Sequence, residues 1–166
     1  RLPQAARLRL DRFMVVLLNE LTHFSNTDTV LLQIMHLLDS IVGRSAYLAL
    51  LTGNLPVLKG LLFWCARSAF IGSLLIGEPF LLEVLLDQPQ KWYPDSRQQL
   101  EKKLTEYLAH HPDFERQEEL LRQFKLTHWL MAARAELYGH CDAVRVGQFL
   151  ADLAQIIVTK VLDIAT

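Results

Sequence analysis

Apolar residues recur along this chain at spacings of three and four, and no stretch gives a convincing alternation of apolar and polar positions. That is the period of helices rather than strands. Pro3 suits a first turn, and Leu8, Met14, Val15, Leu18 and Leu21 then mark an apolar side as far as residue 22. The run HFSNTD predicts a turn with Asn26 or Thr27 as the next N-cap. A second helix follows, carrying Val30, Leu31, Ile34, Leu37, Leu38 and Ile41. GRSAYLALLTGN, residues 43–54, predicts a short apolar helix over 44–52 with Gly53 as its C-cap. Asn54 and Pro56 open another helix to residue 66, Ser68 caps one to residue 76, and Pro79 leads one through residue 86. These three helices are apolar nearly all round, which suits the middle of a bundle.

DQPQKWYPD, residues 87–95, is rich in turn formers and reads as a linker carrying Trp92 and Tyr93. Beyond it the helices become charged and amphipathic, over 96–111 and 113–138. The second of these should bury Leu120, Leu121, Phe124, Thr127, Met131, Ala135 and Tyr138, with Glu118 and Arg122 paired at i,i+4 and Gly139 as C-cap. A last helix over 142–165 carries Val146, Phe149, Leu150, Leu153, Ile156, Ile157 and Leu162. The expected fold is all-α: a bundle of short packed helices, then two long antiparallel helices. Residues 1–87 form a compact lobe in this reading, 88–95 a linker, and 96–166 a long-helix arm.

Composition changes this picture in one respect. Hydrophobic residues make up 51% of the 166, and the mean hydropathy is +0.18, so the membrane question arises. A span needs about 20 nearly uncharged residues. The most apolar region, 55–86, is broken by Lys59, Arg67, Glu78 and Glu83, and by Gly77 and Pro79. No span fits, and the surplus apolar surface belongs to a large core or to a contact. The net charge of −1 offers no polyanion-binding surface, which disfavours nucleic acid. Cys65 and Cys141 lie far apart and form no metal or redox motif, as suits a reducing compartment. The start at Arg1 and a last helical pattern without a stop signal suggest a piece of a longer protein.

Catalytic patterns are missing: there is no GxGxxG, P-loop, HExxH or GxSxG. Asp95, Asp113 and Asp142 sit at predicted helix starts and read as caps. His110 and His111 are adjacent and so face different ways on a helix; His140 and Cys141 follow a glycine cap; His128 sits mid-helix, where packing and interhelical hydrogen bonding are its expected roles. None forms a ligand set, and Cys65 reads as a small buried hydrophobe. The basic residues are the better candidates. Arg44 lies in an apolar helix, where a buried charge would need Asp39 or Glu83 as partner. Arg67 precedes the Ser68 cap, and Arg122 and Lys125 in LLRQFK fall near one side of the long helix. With Tyr47, these are the candidate regulatory or interaction residues. No catalytic, cofactor-binding or metal-ligating residue is assigned.

Several segments in order carry a family resemblance. They are RSAYLALL (44–51), the NLP turn (54–56), LLFWCARS (61–68), PFLLEVLLD (79–87), LLRQFKLTHWLMAARAELYG (120–139) and FLADLAQIIVTKVL (149–162). Together they resemble the bacterial glutamine synthetase adenylyltransferases over nearly the whole chain. Two departures stand out: Gly43 replaces a second arginine before Arg44, and VRVGQFL (144–150) lacks the acid and histidine of the family's corresponding stretch.

The resemblance implies an enzyme with two nucleotidyltransferase domains that use ATP and magnesium. One transfers AMP to a tyrosine of glutamine synthetase, and the other removes it by phosphorolysis. Glutamine and the PII signalling protein regulate both. On this resemblance the present residues are the central regulatory helices, leading into a nucleotidyltransferase domain outside them. The segment itself would hold no cofactor, with glutamine synthetase, PII and the enzyme's other domains as partners, in the cytoplasm. Two other readings stay open: a stand-alone helical adaptor using its apolar surface, and a bundle with a small apolar-ligand pocket.

Overall fold

The computed structural model describes residues 4–86, 92–111 and 113–165. Among them are nine α-helices and no strand. The chain divides into two compact units, Arg1–Gln88 and Pro89–Thr166.

The first unit holds α1 (Gln4–Leu21), α2 (Thr27–Ile41), α3 (Ser45–Gly53), α4 (Leu55–Arg67), α5 (Ala69–Gly77) and α6 (Leu81–Leu86). Helices α2 and α4 are its hubs: α2 packs on α1, α3, α4 and α5, and α4 on all of the other five. Leu17, Ile34, Leu61, Leu62, Trp64, Ile71, Leu75 and Leu81 are wholly buried. At about 25 cal/mol per Å² of apolar area, each such side chain contributes roughly 1.5–3 kcal/mol. Helices α2 and α5 approach closely at Gly72, where a Cβ would lie 2.7 Å from the Gln33 amide nitrogen.

Local chemistry sets the breaks. The Asn54 side chain accepts from the Val57 N–H and the Ser68 hydroxyl from the Ile71 N–H, so each is the cap foreseen from sequence. Asn54 also ends α3; Gly53, expected as that cap, is helical instead. The chain bends by 94° between α3 and α4. Asn26 precedes α2, but its side chain donates to the Ala66 carbonyl and tethers the start of α2 to the end of α4. Pro79 and Phe80 form a turn, and α6 starts only at Leu81.

The inward face of α1 differs from expectation. Leu21 is buried as expected, but its buried neighbours are Phe13 and Leu17, whereas Leu8, Val15 and Leu18 are exposed. This helix carries apolar residues on two sides, so periodicity alone does not choose between them. Packing against α2, α3 and α4 does.

The second unit holds α7 (Arg97–Leu108), α8 (Phe114–Leu137) and α9 (Ala143–Ala165). The two long helices run antiparallel, and α7 packs on both to complete an up-down-up bundle. Leu100, Leu104, Leu108, Leu121, Phe124, Ala135, Phe149, Leu153 and Ile156 form its core. Trp92 leans edge-on against Phe149 at 5.2 Å. Leu162, expected inside, is exposed, as is Tyr138. A capping box of Ser96 and Gln99 opens α7, displacing Asp95 from the cap role expected for it; Asp95 pairs with Lys103 at 2.7 Å instead. Asp113 and Asp142 do cap, accepting from the Arg116 and Arg145 N–H groups. Gly139 ends α8 with φ +69°, and the His140 N–H reaches back to the Ala135 carbonyl at 2.8 Å, a Schellman closure. Of the predicted linker stretch 87–95, residues 87–91 lie outside the described residues.

Adjacent positions should respond oppositely to alanine. Asn54→Ala removes a cap whose bond is long at 3.4 Å, and should cost about 0.5–1 kcal/mol. Gly53→Ala adds a Cβ into open space on a helical backbone and should gain about 0.4–1 kcal/mol. Urea unfolding midpoints check both signs.

Candidate functional site

The structure brings Arg44 and Tyr47 together and adds Glu83. Arg44 precedes α3 on the surface, with its guanidinium 6.0 Å from the centre of the Tyr47 ring. The Tyr47 hydroxyl donates to Glu83 Oε1 at 3.3 Å, joining α3 to α6. Partial burial, reinforced by the charge and hydrogen bond of Glu83 and opposed by Arg44, holds the Tyr47 phenol above its ordinary pKa. The expected buried ion pair of Arg44 with Asp39 or Glu83 is therefore corrected. Arg44 is exposed and needs no buried counter-ion, and among the described residues the aromatic face of Tyr47 is its partner.

Arg67, in the last turn of α4, lies over the Phe63 ring at 4.9 Å, and its charge suits the carbonyl end of the helix. On α8, Arg122 grips Glu119 with two bonds of 2.9 Å, while Gln123 donates to the same carboxylate at 2.7 Å. The Arg122 hydrogen bonds hold Glu119 down to about 2. The carboxylate grasped is three residues back, not Glu118 at four. The closer spacing lets the guanidinium meet the carboxylate side-on in a two-pronged bond. One turn further on, the Lys125 ammonium lies 5.2 Å from the Trp129 ring. Arg122, Lys125 and Trp129 recur at spacings of three and four and share one side of α8. The five candidates are thus split: Arg44, Tyr47 and Arg67 stand in the first unit, Arg122 and Lys125 in the second.

His128, Cys65 and Cys141 are buried. Among the described residues no group of three or more His, Cys, Asp or Glu side chains could hold a metal ion. Burial pushes the Cys65 thiol up to about 12, which leaves it an inert hydrophobe at neutral pH. His128 is packed in the core as expected, but without the expected interhelical hydrogen bond. It faces inward with Leu121, Phe124, Ala132 and Ala135, while Thr127 and Met131 are only half-buried. Its Nδ1 pairs with the Phe124 carbonyl of the preceding turn at 2.7 Å, within α8 rather than between helices. Its ring lies 4.0 Å from the Phe124 ring and 6.2 Å from that of Phe149. The spacing 121, 124, 128, 132, 135 was the available signal.

The comparisons with known proteins show the family. A model of the glutamate-ammonia ligase adenylyltransferase family matches residues 58–166. The chain belongs to that family. It is 38% identical over 161 residues to the bifunctional glutamine synthetase adenylyltransferase/adenylyl-removing enzyme of Pseudomonas putida, and 37% identical over 161 residues to that of Pseudomonas aeruginosa. The enzyme of the same description from Methylococcus capsulatus is 37% identical over 171 residues. These alignments cover 96%, 96% and 99% of this chain but only 16%, 16% and 18% of the relatives. The chain thus spans about one sixth of the length of these adenylyltransferases.

His128 makes this adenylyltransferase segment sensitive to mild acid. Burial holds its imidazole below the ordinary 6.5, opposed by the Phe124 carbonyl and Asp95 and assisted by Lys103. The unfolded chain therefore takes up this proton more readily than the folded one. The stability concerned is intact above about 6.5 and is lost as pH falls from there toward the lower folded value. Between about pH 7.5 and pH 5.5 the unfolding midpoint of the native chain should fall more steeply than that of His128→Gln. Parallel pH profiles would contradict this role.

Proposed function

We propose that this chain is a non-catalytic regulatory segment of an enzyme that adenylylates and deadenylylates glutamine synthetase. The observation that carries this reading is the family match over residues 58–166, a stretch whose regular structure among the described residues is all helical. The relatives' names state both activities. Nucleotidyl transfer to a protein tyrosine needs ATP and magnesium held by clustered carboxylates. That work is assigned to domains of the enzyme outside these residues. Glutamine synthetase is the target in this reading, PII and glutamine are the regulators, and the cytoplasm is the compartment. Among the described residues no single helix is long and apolar enough to cross a membrane, which agrees with that location.

Arg44, Tyr47, Arg67, Arg122 and Lys125 are the proposed contact residues. Their placement supports the idea. Each cation is braced by an aromatic ring or a carboxylate, which holds a long side chain in one geometry before any partner arrives. Regulation further requires an element with two arrangements whose balance the ligands bias. The passage between the two units, which includes the predicted linker 88–95, is assigned that role.

In the full-length enzyme, Arg44→Ala should leave unregulated adenylylation of glutamine synthetase within about twofold of the native rate. The response to PII or glutamine should change severalfold. Rate assays with and without each effector distinguish the two. A folded Arg44→Ala enzyme that is regulated as the native one would reject the role given to Arg44.

A further inference from the structure

A groove lies at the elbow between α3 and α4, bordered by α1. Leu51, Leu58 and Phe13 form its floor, each at most 4% exposed. Val16 of α1 and Leu55 of α4 form walls that stay 40% and 44% exposed, and Arg12 lies at the rim. Its volume is about 210 Å³. Sites for whole drug-sized ligands run from about 300 Å³ upward, so this one suits a single large side chain. Above Gly53, on the helical end of α3, a Cβ would meet nothing within 4 Å. The groove is thus open at that point, and its emptiness is not a product of side-chain crowding.

Charge says what kind of chain would supply the side chain. On α1, Arg9, Arg12 and Val16 recur at three and four residues and share the stripe that borders the groove. Among the described residues neither arginine has an ion pair. The helix's Asp11 projects to the opposite side, about 160° from Arg9 at 100° per residue. Glu20, further along the stripe, is already engaged by Lys59 at 3.5 Å. No carboxylate lines the groove. The result is an apolar socket with two uncompensated guanidinium groups along one edge.

We propose that this groove docks an acidic amphipathic helix of a partner protein. One large apolar side chain enters over Gly53, and carboxylates one turn away meet Arg12 and Arg9. This is helix-in-groove recognition, in which the socket gives affinity and the charges give orientation and rate. The proposal is independent of the regulatory reading, because it needs neither adenylylation nor an effector.

The test uses the chain as it stands and a labelled synthetic helical peptide built only of Leu, Ala and Glu. Fluorescence anisotropy should show saturable binding that weakens with added salt. The same peptide with Lys in place of Glu, or with Ala in place of Leu, should not bind. Arg12→Glu, at an exposed position, should weaken binding at least about tenfold. Val16→Glu places a carboxylate on the groove wall at a position 40% exposed, so it keeps the fold, and it should weaken binding of the acidic peptide comparably. No saturable binding, or binding that both variants leave unchanged, would overturn the proposal. Binding of vesicles with anionic headgroups but not of the peptide would overturn it too.

Discussion

One interaction recurs at the starts of α4, α5, α7, α8 and α9: a side-chain oxygen accepts the backbone N–H three residues on. Asn54 does so for Val57, Ser68 for Ile71, Ser96 for Gln99, Asp113 for Arg116 and Asp142 for Arg145. A helix leaves its first N–H groups without internal partners, and every break in a buried bundle exposes that cost. The caps allow α4 and α5 to be short, apolar and buried at once. Pro56, which has no N–H to give the preceding turn, bars one continuous helix through residues 45–67, and the Asn54 cap satisfies an N–H group at the 94° bend that results.

From these breaks follow both the core and the candidate contacts. The bend at Asn54 carries α4 between α2 and α6 and buries Trp64 completely. It also sets Tyr47 of α3 against Glu83 of α6 and leaves the socket over Gly53. In the second unit the Schellman closure at Gly139 turns α8 back along α9, so that Phe149 meets Trp92 and His128. A reversal so tight suits the positive φ that glycine adopts without strain.

Much of this was legible in the residues, and the failures have physical causes. Caps and glycine stops announce themselves through residue type, so the helix boundaries fell within a few residues. Faces were harder. Periodicity located an apolar side of α1 through Leu8, Val15, Leu18 and Leu21, yet of these packing buried only Leu21, beside Phe13 and Leu17. His128 packs as its mid-helix place suggested, but the partner of its ring is the Phe124 carbonyl of its own helix rather than a group on a neighbouring one. Arg44 was read as a buried charge because its neighbours are apolar, but it precedes the helix and points into solvent. Charge partners depend on rotamers, so Glu119 rather than Glu118 holds Arg122, and Lys103 rather than a backbone end holds Asp95. The order of RSAYLALL, LLFWCARS and LLRQFK carried the family assignment, which no single side chain could.

The regulatory role is tested most directly by calorimetric titration of this chain with PII from the same source, with and without glutamine. Saturable binding whose affinity changes with glutamine is the expected result, and places a sensing surface within residues 1–166. A folded chain that binds neither would contradict the regulatory assignment and leave the segment a helical spacer of its adenylyltransferase.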